Sequence, residues 1–449
     1  MELQIEKMVY GGDGLARLAA DERGPGKTVF LPFVIAGERV DATLIQNRSG
    51  FARARLNTVL AASSERVEPG CPHFGRCGGC QYQHINYPAQ LVFKAEILRE
   101  TLRRTAKLEL DRDIQPHSSQ PWHYRNRTRM RVQHAPKFAV GYFRANSHDL
   151  LPVERCPISS ALINRAIAAV WELGRAERIP PLVHGFQFFA NHEDSELFVE
   201  VYVRPQTSSR ETGKVAEVLN ASIPQTKGVA VFTTSAIEDE SRQFAPLTST
   251  HNFSPLTSIH NEEATVVGQG HLTYQAARHE YRVSAGSFFQ TNRFLVDELV
   301  EVATAQISGR SALDLYAGVG LFTVHLAAKF EKVVAVEGSP HAVADLRHNA
   351  PSNVTAIHAS TDAFLETQAA QYQADFVLLD PPRAGLGERV TAALCRTAAQ
   401  VVTLVSCDPA TLSRDLRTLL ESGFRVEQAH LFDLFPQTAH METVLRLVR

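Results

Sequence analysis

Residues 311–320 read Ser-Ala-Leu-Asp-Leu-Tyr-Ala-Gly-Val-Gly, an apolar run that ends in a glycine turn before a second apolar stretch opens at Leu321. This order predicts a buried strand, a tight turn and a helix. The pattern then repeats: KVVAVE (332–337), NVTAIH (353–358), ADFVLLD (374–380) and QVVTLVS (400–406) are apolar runs separated by stretches of helical length. Strands alternating with helices predict a doubly wound, Rossmann-like parallel sheet over 271–449. The chain closes with FRVEQAHLF (424–432) and METVLRLVR (441–449), expected as an antiparallel edge pair.

In such a sheet, ligands bind beyond the carboxyl ends of the strands, near the point where strand order reverses. Four motifs are expected there. The first is the turn 314–320, whose glycines allow a ligand close to the backbone. The second is Glu337, 23 residues after Asp314, where a carboxylate can accept hydrogen bonds from ribose hydroxyls. The third is Asp380-Pro381-Pro382-Arg383, and the fourth is Ser406-Cys407-Asp408-Pro409. The glycine turn alone fits any α/β protein, and it lacks the G-x-G-x-x-G spacing of a dinucleotide site.

The rest of the chain bounds the reading. At 449 residues it is long enough for several cores, and 44% hydrophobic with 21% charged residues is an ordinary globular composition. The start, MELQIEKMVYGG, has neither the basic flank nor the apolar stretch of a signal peptide, and no apolar run is long enough to span a membrane. A cytoplasmic chain acting as a monomer, with no membrane partner, is expected. The net charge of -2 gives no global sign of nucleic-acid binding. Locally, residues 91–137 hold eleven Lys or Arg against five acids, a net +6. Within that stretch, Tyr124 to Arg131 carries Arg125, Arg127, Arg129 and Arg131 at alternate positions. On a strand they share one face, either as a solvated edge or as a surface for phosphates and bases.

Ahead of the sheet, residues 1–60 read as short strands broken by Gly-Gly-Asp-Gly and Ala-Gly-Glu, the pattern of a small β-barrel. Residues 61–270 are expected to form a central α+β unit, in which Ser/Thr/Asn/Pro-rich residues 237–269 form a surface insertion. That unit holds Cys71-x5-Cys77-x2-Cys80, with Cys156 in Glu-Arg-Cys-Pro; four thiolates can hold zinc or an iron–sulfur cluster, and spacing alone leaves both open. Cys395, in a helical stretch, reads as a small inert hydrophobe.

The Asp-Pro-Pro-Arg and Ser-Cys-Asp-Pro motifs, with Phe288-Phe289-Gln290-Thr291-Asn292 ahead of the sheet, resemble the uridine C5 methyltransferases of tRNA and large-subunit ribosomal RNA. The likeness spans nearly the whole chain. It implies that the amino-terminal barrel is an RNA-gripping TRAM domain. It implies that Gln290, Tyr316, Glu337 and Asp380 contact S-adenosylmethionine, that Cys407 is a covalent nucleophile, and that Glu442, in His440-Met441-Glu442-Thr443, is a base. The branch that modifies ribosomal RNA often carries a [4Fe-4S] cluster on cysteines arranged like Cys71, Cys77, Cys80 and Cys156, so ribosomal RNA is the expected partner. The chemistry agrees: uridine C5 is a poor nucleophile, and thiolate addition at C6 turns it into an enolate carbon able to take a methyl group. Competing readings are a tRNA uridine or RNA cytosine C5 methyltransferase, a non-catalytic RNA-binding factor, and an iron–sulfur oxidoreductase.

Overall fold

The computed structural model describes residues 1–19, 26–205, 207–234, 264–367 and 374–449. The first five strands, Glu2–Met8, Asp13–Arg17, Thr28–Pro32, Arg39–Asn47 and Phe51–Ala61, close into a barrel. Alternation makes it possible: Leu3, Ile5, Val29, Leu31, Val40, Ala42, Ala52 and Ala54 fill the interior while their neighbours face out. The expected barrel is present.

A seven-stranded sheet follows in the order Thr265–Gly268, Thr226–Thr233, Leu197–Val203, Val183–Ala190, Arg127–Gln133, Ala139–Phe143, Leu150–Pro152. The helices Ala161–Arg175 and Ser209–Ser222 cover one face, their apolar stripes packed on Phe186, Phe188, Val199 and Val231. The arginine-bearing strand therefore lies inside a sheet, not at its edge. Within the 237–269 stretch, residues 237–263 fall outside the described residues. Its end corrects the insertion reading, because Thr265–Gly268 pairs with Thr226–Thr233 as a strand.

The third sheet has eight strands, in the order Val354–His358, Phe330–Glu337, Gly309–Leu315, Phe376–Leu379, Val401–Ser406, Glu442–Val448, Arg425–Phe432, Gln115–His117. The first five run parallel, and Glu442–Val448 is antiparallel to both its neighbours. Strand order reverses beside Gly309–Leu315, so the crevice opens between its carboxyl end and that of Phe376–Leu379. The two final strands do pair, but they are not the edge. Glu442–Val448 is inserted beside Val401–Ser406, and Gln115–His117, from far upstream, caps the sheet. The helix Tyr87–Thr101 joins this unit too, since Ile97, Leu98 and Leu102 share a core with Leu412, Leu416 and Leu419 of the helix Pro409–Glu421.

Candidate functional site

Antiparallel register brings the two expected reactive groups together. Ser406 pairs with Thr443, so the next residue on one strand, Cys407, faces the preceding residue on the other, Glu442, where the ladder ends. The Cys407 turn is fixed by the following helix. Asp408 is its N-cap, accepting from the amides of Ala410 (3.0 Å) and Thr411 (2.8 Å), and Pro409 occupies the first helical turn. Thr411 Oγ1 donates to Arg383 O at 3.1 Å, which fastens the Asp380–Arg383 loop to the same helix.

The electrostatics of this corner are acid-rich. Burial pushes the Cys407 thiol above its ordinary value, Glu442, Asp380 and Asp408 push the same way, and Arg383 opposes them. Glu442 is 4% exposed, and its carboxyl is raised well above the usual range by burial and by Asp380, with Arg383 again opposing. Asp314 and Asp380 are each raised to about 7, by burial first, and Asp314 raises Asp380 further.

Across the switch point lies the glycine turn. Tyr316 (φ 64), Gly318 (φ 57) and Gly320 (φ 95) all adopt the left-handed region, which a glycine takes without a Cβ penalty. A Cβ on Gly320 would also lie 2.9 Å from Leu346. Glu337 ties this turn to the second strand: Gly318 N donates to its Oε2 at 2.8 Å and Ser339 N to its Oε1 at 2.7 Å. Gln290 Nε2 donates to Asp380 Oδ2 at 3.3 Å. Gln290, Tyr316, Glu337, Asp380, Cys407 and Glu442 thus line one continuous cavity of about 3030 Å³. Pockets for single small molecules run to roughly 300–1,000 Å³. The cavity is sized for something much larger than one nucleoside.

Another part of its lining is basic. Arg125, Arg127, Arg129 and Arg131 all face the cavity, while the alternate residues Asn126, Thr128 and Met130 are buried. Aromatic rings carry the guanidinium groups: Arg127 lies 4.2 Å from the Phe189 ring centre, Arg129 3.9 Å from Tyr202, and Arg131 5.3 Å from Phe143. The net +6 of residues 91–137 is not one surface, however. Lys94 is fully buried against Asp433.

The four cysteines line the same cavity, all as free thiols. Each of Cys71, Cys77 and Cys80 is raised by burial, Cys77 to about 11, and Cys156 adds to the shift in all three. They are therefore mutual neighbours. Gly79 N points at Cys77 Sγ at 3.4 Å, and Arg125 lowers Cys77 and Cys80. Among the described residues, no group of three or more His, Cys, Asp or Glu is arranged to hold a metal ion.

Sequence reasoning passed over two neighbours of Cys407. Arg383 stands in the Asp-Pro-Pro-Arg motif, and its position there was the available signal. Tyr10, in the first turn of the barrel, donates its phenol to Asp408 Oδ2 at 2.9 Å. No local pattern announces a contact between residues so far apart in sequence.

A doubly wound sheet with a glycine turn, an acid at the end of the second strand and a thiol facing a carboxyl defines a nucleotide-cofactor enzyme with covalent potential. The comparisons narrow the class. Residues 265–449 match the family model described as tRNA (Uracil-5-)-methyltransferase. The 23S rRNA (uracil(1939)-C(5))-methyltransferase RlmD of Shewanella frigidimarina is 30% identical over 460 residues, covering 99% of this chain and 95% of that protein. An uncharacterized RNA methyltransferase of Aquifex aeolicus is 29% identical and covers 100% of this chain and 98% of its own length. Among solved structures, the tRNA (uracil-54, C5)-methyltransferase of Pyrococcus abyssi in complex with S-adenosyl-L-homocysteine superposes with a TM-score of 0.73. It covers 99% of both chains at 22% identity, a likeness of fold. The chain belongs to the RNA uracil-C5 methyltransferase family. No described helix is long and apolar enough to cross a membrane.

Proposed function

We propose that this protein methylates C5 of a uridine in ribosomal RNA, using S-adenosylmethionine and a covalent bond from Cys407 to C6. The observation that carries this reading is Cys407 facing Glu442 across the end of one ladder, at the foot of a cavity large enough for an RNA segment.

The cofactor supplies an electrophilic methyl on a sulfonium, and Gln290, Tyr316, Glu337 and Asp380 would hold it. The chain's own residues do the rest. Burial first, and the neighbouring Glu442, Asp380 and Asp408 after it, disfavour the Cys407 thiolate. Arg383 lowers both Cys407 and Glu442, so it favours the thiolate and carboxylate forms that attack and proton removal need. After methylation, C5 still carries its original hydrogen, and Glu442 is the carboxylate disposed to take it directly or through a water.

The RNA would be gripped by the barrel and the arginine face, with the target base extruded from its stack. Cys71, Cys77, Cys80 and Cys156 would hold a [4Fe-4S] cluster of structural role. Support for this is the chemistry of the donor set, four cysteines gathered beside Arg125. Ribosomal RNA is favoured by the relative from Shewanella frigidimarina. Mapping 5-methyluridine in RNA from cells with and without the gene tests the substrate: loss of one or two ribosomal sites is expected, and loss confined to tRNA would overturn that assignment.

A further inference from the structure

Residues 433–441 lead into the last strand and end beside Glu442. They form an irregular loop, and upstream elements take up several of its backbone polar groups. Asn292 Nδ2 donates to Leu434 O (3.1 Å), Lys94 Nζ to Phe435 O (3.2 Å) and Tyr124 OH to Pro436 O (3.2 Å). Gln437 O accepts from the amides of Gln81 (3.1 Å) and Tyr82 (2.9 Å), and Ala439 N donates to Gln81 Oε1 (3.1 Å). Gln81 and Tyr82 directly follow Cys80, so the cysteine-bearing loop is fastened to the loop that delivers Glu442.

Two buried side-chain pairs complete the attachment. Gln90 and Gln437 bond reciprocally, Gln90 Nε2 to Gln437 Oε1 and Gln437 N to Gln90 Oε1, both at 3.0 Å. Lys94 Nζ donates to Asp433 Oδ1 at 2.6 Å with both side chains 0% exposed. Gln437 is held at φ 69, a conformation glycine adopts more readily, although its side chain is needed for the Gln90 pair. A buried ion pair contributes little net stability compared with an apolar pair of the same size, whereas its directionality fixes one arrangement. Lys94, Gln90 and Gln437 do not line the cavity, so they are not placed to touch substrate.

We propose that the helix Tyr87–Thr101 and the cysteine-bearing loop form a latch that aims Glu442, through the Lys94–Asp433 and Gln90–Gln437 pairs. These four are positioning residues for a single step. The proposal rests on the reading of Glu442 as the base. In that step the C5–H bond breaks and its proton goes to the Glu442 carboxylate. Its electron pair forms the C5–C6 double bond, and the C6–S bond breaks with its pair returning to Cys407 as thiolate. Cys407 itself is set by the Asp408 cap of the helix Pro409–Glu421; that helix packs on Tyr87–Thr101 through apolar side chains, and neither the Lys94–Asp433 nor the Gln90–Gln437 pair reaches it. Loosening the latch should therefore leave addition and methyl transfer in place and slow release.

The test compares Gln437→Gly and the double variant Lys94→Met/Asp433→Leu with Glu442→Gln. Glycine relieves the backbone at φ 69, and the double variant replaces the ion pair with apolar groups, so both are chosen to fold. With the full chain, S-adenosylmethionine and an RNA substrate, one measures kcat, KM for RNA, Tm and the protein–RNA species that survives a denaturing gel. Both variants should keep KM and lose kcat by about 10- to 100-fold, the scale of an ångström-level misplacement. They should also accumulate a methylated adduct, as Glu442→Gln does. Normal turnover in both, or abolished activity with no adduct, would overturn the latch. A Gln437→Gly chain that fails to fold also counts against it, because the contacts would then be structural. If Glu442→Gln forms no adduct, the reading of the base fails instead, whatever the latch variants do.

Discussion

Two parts of the cavity lining bury thiols in different electrostatic company. In one, Cys407 sits among Glu442, Asp380 and Asp408 with Arg383 as the opposing charge. In the other, Cys77 and Cys80 neighbour further thiols and Arg125, on the border of the arginine face. Burial raises the thiols in both parts, so desolvation alone does not distinguish a reactive cysteine from a ligand. The neighbours do. An acid-rich lining attracts a cation such as a sulfonium and offers a carboxyl across from the sulfur. A thiol cluster beside arginines would suit the metal assembly and the RNA phosphates proposed above.

The sharpest way to break this contrast is to remove one thiol from each part. Cys407→Ala should abolish adduct and product, a loss of about 10⁴-fold or more on the scale of other deleted nucleophiles. Cys80→Ser should lose the metal yet still form some adduct. Anaerobically purified wild type should contain about four irons with labile sulfide, as a Cys₄ cubane requires. Stoichiometric zinc without sulfide would contradict the account of the basic part.

A smaller effect belongs to Glu337. Its carboxylate already holds Gly318 and Ser339 amides, and Glu337→Gln would weaken that frame and any ribose contact. Calorimetry with S-adenosylhomocysteine should show binding weakened about 10- to 100-fold, the range of one charged hydrogen bond. Unchanged affinity would move the cofactor away from this carboxylate.

In the basic part, Arg127→Ala removes a stacked guanidinium that also donates to Ser287 O at 2.6 Å. RNA affinity should fall, and the slope of log K against log[salt] should flatten by about 0.7 to 0.9 for each phosphate that the arginine neutralises. The same slope as wild type would place the phosphates elsewhere.

The mildest expected change is in stability. Asp314 and Asp380 have folded values near 7, above the ordinary 3.8, so their protonated forms favour the fold. The stability they contribute is complete below about pH 4 and is lost as pH rises through 7. Asp314→Asn, which cannot ionise, should therefore gain Tm relative to wild type between pH 5 and 9, by a few degrees. A difference that does not vary with pH would show that Asp314 is ionised in the fold.

Much of this layout was legible in the sequence, for reasons that stop at identifiable residues. Four of the five parallel strands announced themselves because strands buried on both faces read as continuous apolar runs, while the edge strand Val354–His358 is only half-buried. The barrel did so through alternation and glycine turns. Cys407 and Glu442 stood in recognisable motifs, but their facing one another depends on the last strand inserting beside Val401–Ser406 instead of lying at an edge. The three-residue strand Gln115–His117 has no periodicity to read, and its register with His430–Phe432 is a purely long-range fact. Lys94 looked like part of a basic surface because charge counts ignore burial. Its partner Asp433 lies on a distant loop, and only the fold brings the two together.

The central claim is that Cys407 bonds to the RNA and Glu442 ends that bond. Glu442→Gln protein, mixed with substrate RNA and S-adenosylmethionine, is digested with protease and nuclease, and the cross-linked fragment is sequenced by mass spectrometry. The account predicts a peptide carrying a nucleotide on Cys407, with the nucleotide already one methyl group heavier. A nucleotide attached to any other residue, or rapid turnover by Glu442→Gln with no trapped species, would contradict it.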